Sequence, residues 1–508
     1  MRQHVRGLAF VLILPLGVWG AMQTQQAPEP RQATTPGKIK LIEPPATGAE
    51  ASTLPGGEVI APVAAQDAPE TPAVRVDPKP ISGSVKRGLD WLVEHQLKDG
   101  GWGQGDESQQ MGGGAELRDK ANVADTCVAA LALIRSGSTP STGPYKDAIA
   151  KAVRFVRSQV EGSDAESLAV SSIQGTRVQA KLGPNIDTFL ASLLLAEVKD
   201  RMADSAENAT VEVALNKVLG KIKAHQKADG SWDNQAGWAP ILAQSMAGKG
   251  INRAFQRGAV VDASLLAKTE DFAKFQFAQS APVAAAEPAA PFVGPGIAPV
   301  TVAAVAPAAA EIPVAGKSAG MSSPAFGGRA MMMGGMMGRG GMGSAGVELY
   351  DRASSLAVLS DSVNTNKTKE AELRRIVETS RDEPAVADAK KELDRFAQAQ
   401  LACDTAQAQV IARLDDQGFL AGFGSNGGEE FLSYMNIGES LVQKGGPAWK
   451  KWDDAITANL NRIQNDDGSW TGHHCITGRS FCTSTALLVL LCDRTPTADP
   501  SKEKAVVQ

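Results

Sequence analysis

The stretch WLVEHQLKDGGWG, Trp91 to Gly103, joins the end of an amphipathic run to a glycine-rich turn carrying a second tryptophan. Within it, Gln96, Asp99, Gly100 and Trp102 have a spacing that recurs twice. HQKADGSW supplies Gln226, Asp229, Gly230 and Trp232; IQNDDGSW supplies Gln464, Asp467, Gly468 and Trp470. Three copies of Q-x-x-D-G-(G/S)-W point to a repeat architecture, because they cannot all sit at one active centre. Asp-Gly tolerates positive φ and ends a helix sharply. The Trp can pack over the turn while the Gln bonds free backbone ends. The motif therefore reads as a structural staple between neighbouring repeats.

Outward from the motif, two kinds of helix alternate. The first is amphipathic: Val85, Leu89, Leu92 and Val93 fall at i, i+4, i+7 and i+8. Leu215, Leu219 and Ile222 repeat that face, as do Ile456, Leu460 and Ile463. Weaker versions lie around 145–160, 262–277 and 401–414. The second kind is apolar nearly all round, as in ADTCVAALALI, IDTFLASLLLAEV and TSTALLVLLC, with WAPILAQSMAG, VELYDRASSLAVL and EEFLSYMNIGESLV as partners. A helix apolar on all faces must be buried on all faces. The alternation predicts an all-α fold over 83–495, an α/α toroid of six inner and six outer helices.

The opening stretch resembles the QW motif of the prenyltransferase and squalene-oxidase repeat family, the α/α-toroid superfamily of squalene–hopene cyclases and protein prenyltransferases. Arg87, Gly88, Trp91, Leu92, Gln96, Gly100 and Trp102 match that motif in order. The later copies keep the Gln and the Gly-x-Trp but place Lys221 and Asn459 where Trp91 stands. The resemblance implies the toroid; function lives in sites and not in folds. Cyclases of this superfamily protonate an alkene with a D-x-D-D motif, which the chain lacks, and line their cavities with aromatic faces, whereas only 5% of this chain is aromatic. Protein prenyltransferases hold zinc with Asp, Cys and His. The soft ligands here, His473, His474, Cys475 and Cys482, crowd into GHHCITGRSFC, and the expected Asp-x-Cys is missing from GGEEFLSYMNIGES. The related thioester domains need a Cys that NGGEEF does not supply.

Other groups have readings from position. Asp125 and Asp187 open the first two buried helices and are either acids facing a cavity or helix-terminal partners. Glu429 and Glu430 open the fifth and read the same way. The five cysteines are Cys127, Cys403, Cys475, Cys482 and Cys492. A disulfide between Cys475 and Cys482 is the expectation for the last loop, with a zinc site as its alternative. No other cofactor is implied.

Residues 1–21 read as a signal peptide, with Arg2 and Arg6 before an apolar run too short to span a bilayer comfortably; an uncleaved anchor is the alternative. The protein is therefore expected to be exported. Residues 22–82 form a Pro/Ala-rich linker expected to be disordered. A low-complexity insertion occupies 281–345; its methionines could bind Cu(I), though no His or Cys accompanies them. A charged stretch at 367–400 is a solvated helix pair or an insertion, and 496–508 is a tail. The net charge of −5, with mixed signs, gives no nucleic-acid footprint. The missing catalytic motifs favour a non-enzymatic binding or scaffold protein, whose partner is a protein or an apolar ligand. An enzyme using a central cavity, on an isoprenoid or another apolar substrate, is the alternative.

Overall fold

In the computed structural model the three turn motifs take one conformation. Gly100, Gly230 and Gly468 have φ of 93°, 87° and 91°. Asp99, Asp229 and Asp467 each accept the backbone N–H two residues on, at 3.0–3.1 Å. Trp102, Trp232 and Trp470 are fully buried. Their indole N–H groups donate to Leu92 O, Ile222 O and Leu460 O at 2.8, 2.8 and 2.9 Å, capping the helix that precedes each turn. The Gln side chain bonds two segments at once. Gln96 Nε2 donates to Gly100 O and to Ala148 O, both at 2.8 Å. Gln226 donates to Gly230 O and Thr269 Oγ1, and Gln464 to Gly468 O and Ser84 O. The last of these ties the C-terminal motif to the first helix, 380 residues earlier. Glycine is required sterically as well: a Cβ on Gly230 would fall 2.1 Å from Lys268 O.

The structure describes residues 76–107, 115–233, 237–280, 345–424 and 426–496. Its helices are α1 Gly83–Glu94, α2 Val123–Arg135, α3 Lys146–Gly162, α4 Arg177–Leu182, α5 Ile186–Val198, α6 Ser205–Ala224, α7 Pro240–Gln256, α8 Ala263–Ser280, α9 Glu348–Thr379, α10 Glu383–Ala412, α11 Gln417–Leu420, α12 Gly428–Lys444, α13 Gly446–Ile463 and α14 Arg479–Leu490. Among the described residues there are isolated β-bridges but no strand, so the fold is all-α. No described helix is long and apolar enough to cross a membrane.

The two expected kinds of helix are present. Every residue of α2 and α5 is buried, as are Pro240–Ala254 of α7, Gly428–Val442 of α12 and Ser480–Leu490 of α14. The first half of α9 is buried in the same way. Helices α1, α3, α6, α8, α10 and α13 bury one face each. Contacts run α2 to α5, α5 to α7, α7 to α9, α9 to α12, α12 to α14, and α14 back to α2. Each half-buried helix packs against members of this cycle. Small residues allow the close approach: a Cβ on Gly250 of α7 would meet Ser192 Oγ of α5 at 1.9 Å.

The charged stretch 367–400 belongs to α9 and α10, which pair as two long helices; past Asn366, α9 has no fully buried residue. The expected linker boundary at 82 needs correction. Lys79 N–H donates to Asp493 at 2.7 Å, its ammonium lies 2.5 Å from Asp453, and Arg494 donates to Lys79 O, so this segment is fastened to the helices. Its Pro-rich sequence has no period to reveal that. The expected signal peptide, the rest of the linker, the insertion up to 344 and the tail from 497 lie outside the described residues.

Since each Trp fills a fully buried site and caps a helix, Trp102→Ala, Trp232→Ala and Trp470→Ala are each expected to cost about 3–5 kcal/mol. Thermal melts decide: wild-type melting temperatures in all three variants would show that the staples carry no stability.

Candidate functional site

Residues from the starts of the buried helices meet at one end of the molecule, and residues from their later turns meet at the other. The first end is rich in acids. Asp187 Oδ1 accepts the Ala124 N–H of α2 at 2.8 Å, and its Oδ2 accepts Gln179 Nε2 at 2.5 Å. It therefore serves the start of the neighbouring helix as well as the first turn of its own. Asp125 Oδ2 accepts Asn122 Nδ2 at 2.6 Å, while Oδ1 has no protein partner. Glu429 accepts the Ile476 N–H at 3.2 Å through one oxygen, and its other oxygen has no protein partner. Glu430 is saturated: Tyr350 Oη donates at 2.5 Å, and the Phe423 and Gly427 N–H groups donate at 2.9 and 3.1 Å.

Burial governs the protonation of these acids. It pushes Asp125 up to about 8, despite the opposing bond from Asn122, and Asp187 to about 6. Burial, with Glu430 adjacent, raises Glu429 well above the carboxylate range. Asp125 and Glu429 are thus neutral acids near pH 7, able to donate a hydrogen bond or a proton.

An aromatic rim lies over Glu430. Trp238 meets Phe423 edge-on at 5.0 Å, Phe423 meets His474 at 5.2 Å, and Lys181 Nζ sits 5.7 Å from the Trp238 ring centroid. Phe423 is 57% exposed. Burial lowers the His474 pKa, and its Nε2 stands 3.4 Å from Glu430.

The last loop departs from expectation. Cys475 and Cys482 are separate buried thiols, so the expected disulfide is absent. Cys482, at the start of α14, bonds back to Ile476 O, while Cys475, at φ 54°, lies beside Glu429. Burial raises Cys475 to about 12 and Cys482 well above its ordinary value, so both are neutral thiols. His473, His474, Cys475 and Cys482 do not converge, and among the described residues no group of three or more His, Cys, Asp or Glu could hold a metal ion.

The opposite end carries a buried ion network that the sequence reading did not find. Arg135 of α2 lies 3.0 Å from Glu197 of α5 and 3.4 Å from Glu439 of α12. Lys249 of α7 lies 2.5 Å from Glu439 and 3.4 Å from Asp361 of α9. Arg253 lies 3.2 Å from Glu197. Burial alone would raise Glu197 and Glu439, but the surrounding cations hold both at about 2. Next to the network, Leu131, Leu193, Met435 and Leu488 surround a void with room for about one water molecule. The signal for this network was a charge inside each otherwise apolar run, such as Glu197 in LLLAEV.

No family model and no curated protein matches the chain.

Proposed function

We propose that the chain is an exported α/α toroid of the prenyltransferase and squalene-oxidase repeat type, acting as a binding or scaffold module and not as an enzyme. The closed cycle of helix contacts and the Gln464 bond that joins last repeat to first support the toroid. Export rests on the signal-like residues 1–21. The observation that carries the non-enzymatic reading is the burial of the inner helices on every face. A cavity for an isoprenoid, of about 300 Å³ or more, would leave faces of these helices open; between α2, α5, α7, α12 and α14, leucines, Met435 and the ion network leave room for about one water molecule. The partner, a protein or an apolar ligand, meets the rim of Trp238, Phe423 and His474, where an exposed aromatic stands beside a cation.

The neutral acids Asp125 and Glu429 favour a second reading, an enzyme of the terpenoid cyclase and prenyltransferase superfamily. Incubation of the purified chain with squalene, and separately with farnesyl diphosphate, a cysteine peptide and zinc, separates the two. No product is expected. A product that disappears in Glu429→Gln would replace the scaffold reading with the enzymatic one.

A further inference from the structure

The void at the buried ion network, bounded on its apolar side by Leu131, Leu193, Met435 and Leu488, has three cations on its wall, Arg135, Lys249 and Arg253, against one carboxylate, Glu439. Each of these four charged residues is at most 5% exposed. The other two acids of the network do not restore the balance. Glu197 is shared among Arg135, Arg253 and Arg257, and Asp361 stands at the longer of the two Lys249 contacts, 3.4 Å. Burial also raises the Asp361 carboxyl, against the pull of Lys249. Four cations, Arg135, Lys249, Arg253 and Arg257, thus meet three carboxyls, of which one resists ionisation. Donors are in surplus as well. Arg135 gives its terminal nitrogens to Glu197 and Glu439, and its buried Nε–H has no protein acceptor. Lys249 has three N–H groups and two protein acceptors, Glu439 and Asp361. A buried excess of positive charge is costly unless a counter-charge meets it. A water in the void would accept from these donors but would leave the excess charge in place.

We propose that this void holds one chloride ion. A single-atom anion needs little more room than the water molecule that the void admits, and the adaptable Met435 side chain gives the wall that latitude. It supplies the missing negative charge and accepts from Arg135 Nε–H and Lys249 in charge-assisted hydrogen bonds. With apolar side chains closing the other side, these attractions are larger than they would be in bulk water. Sulfate, or a carboxylate-bearing molecule, exceeds the space, and a metal cation would meet three positive charges. The ion joins α2 to α7 at the point where both also hold Glu439 of α12, so it acts as a fastening of the helix cycle. The site rests on the ion network alone and is independent of the toroid and scaffold readings.

Thermal melts of the full chain at constant ionic strength, with sodium chloride replacing sodium gluconate, test the proposal. Gluconate is too large to enter. The melting temperature is expected to rise saturably with chloride, by about 2 °C or more once chloride exceeds its dissociation constant roughly tenfold. Bromide should act in the same way. Arg135→Lys keeps the charge but removes the Nε–H, and is expected to shift the chloride midpoint about tenfold upward. Leu488→Phe, which fills the void, should make the melting temperature independent of chloride. Since either variant risks misfolding, bromide-soaked crystals of the unaltered chain give a separate reading: an anomalous-scattering peak between Arg135 and Lys249. Melts indifferent to chloride, a chloride response that persists in a folded Leu488→Phe variant, or a void without bromide signal would each overturn the assignment and leave the space to water.

Discussion

Replacing Lys249 with Met is expected to lower the unfolding free energy by about 3–5 kcal/mol, read from denaturant midpoints. Lys249 is 4% exposed and touches two carboxylates on different helices, Glu439 and Asp361. Removing the ammonium leaves Glu439 with only the longer contact to Arg135 and the hydroxyl of Thr495, at 3.4 and 3.1 Å. A buried carboxylate stripped of its main partner either keeps its charge at a high desolvation cost or takes up a proton. The pair as a whole is a different matter. Replacing both members with apolar residues of similar volume often costs little, because the desolvation penalty goes with them. Lys249→Met combined with Glu439→Leu should therefore lose less than the sum of the single variants. Arg135 then keeps Glu197, and the burial-raised carboxyl of Asp361 is free to stay protonated. A loss below about 1 kcal/mol in the single variant would mean that water reaches the network and that it does not seal the helix cycle.

That network marks the boundary of what was legible in the sequence. The alternation of half-buried and buried helices was readable because it depends on residues three and four apart: Leu89 and Leu92 in α1, or Ile456 and Leu460 in α13, reveal their face locally. The staple was readable for the same reason, since Gln96, Asp99, Gly100 and Trp102 act within one turn. The second bond of each Gln, to Ala148, Thr269 or Ser84, was not readable, because its partner lies on another helix. Lys249 and Arg253 follow the small-residue run AQSMAG, and nothing local identifies the carboxylates that meet them. They are buried because Glu197, Asp361 and Glu439 arrive from helices far along the chain, and only the tertiary fold brings them together. The last loop failed for a related reason. Seven residues of spacing permit a disulfide between Cys475 and Cys482, but the direction of each thiol is set by Glu429 and by the start of α14. The aromatic rim joins Trp238, Phe423 and His474 from three separate loops, and no periodicity connects them.

The two charged ends have opposite pH dependence, and this gives the second large expectation: stability should be greatest near pH 4–5 and fall towards pH 8. Asp125, Asp187 and Glu429 are all raised above the unfolded value of about 4. The folded state therefore binds more protons than the unfolded one above pH about 4. The stability these groups contribute is fully present below that pH. It is lost as pH rises, through about 6 for Asp187 and about 8 for Asp125. Glu197 and Glu439, held at about 2, act in the other direction: their contribution is present above pH about 4 and is lost as pH falls towards 2. His474, lowered by burial, also favours the folded state at higher pH, but it is one group against three. At 1.36 kcal/mol per pKa unit, Asp125 alone corresponds to roughly 5 kcal/mol between pH 4 and 8 as an upper bound. Melting temperatures at pH 8 should accordingly lie about 10 °C or more below those at pH 5. Glu429→Gln supplies a neutral isostere at the acidic end, so it should raise the melting temperature at pH 8 and leave it nearly unchanged at pH 5. Glu197→Gln, which strips Arg135 and Arg253 of their counter-charge, should lower it at both. A melting temperature that is flat or rising between pH 5 and 8 would mean that the acids at the helix starts are solvated and ionised, and the neutral-acid description of that end would have to be abandoned.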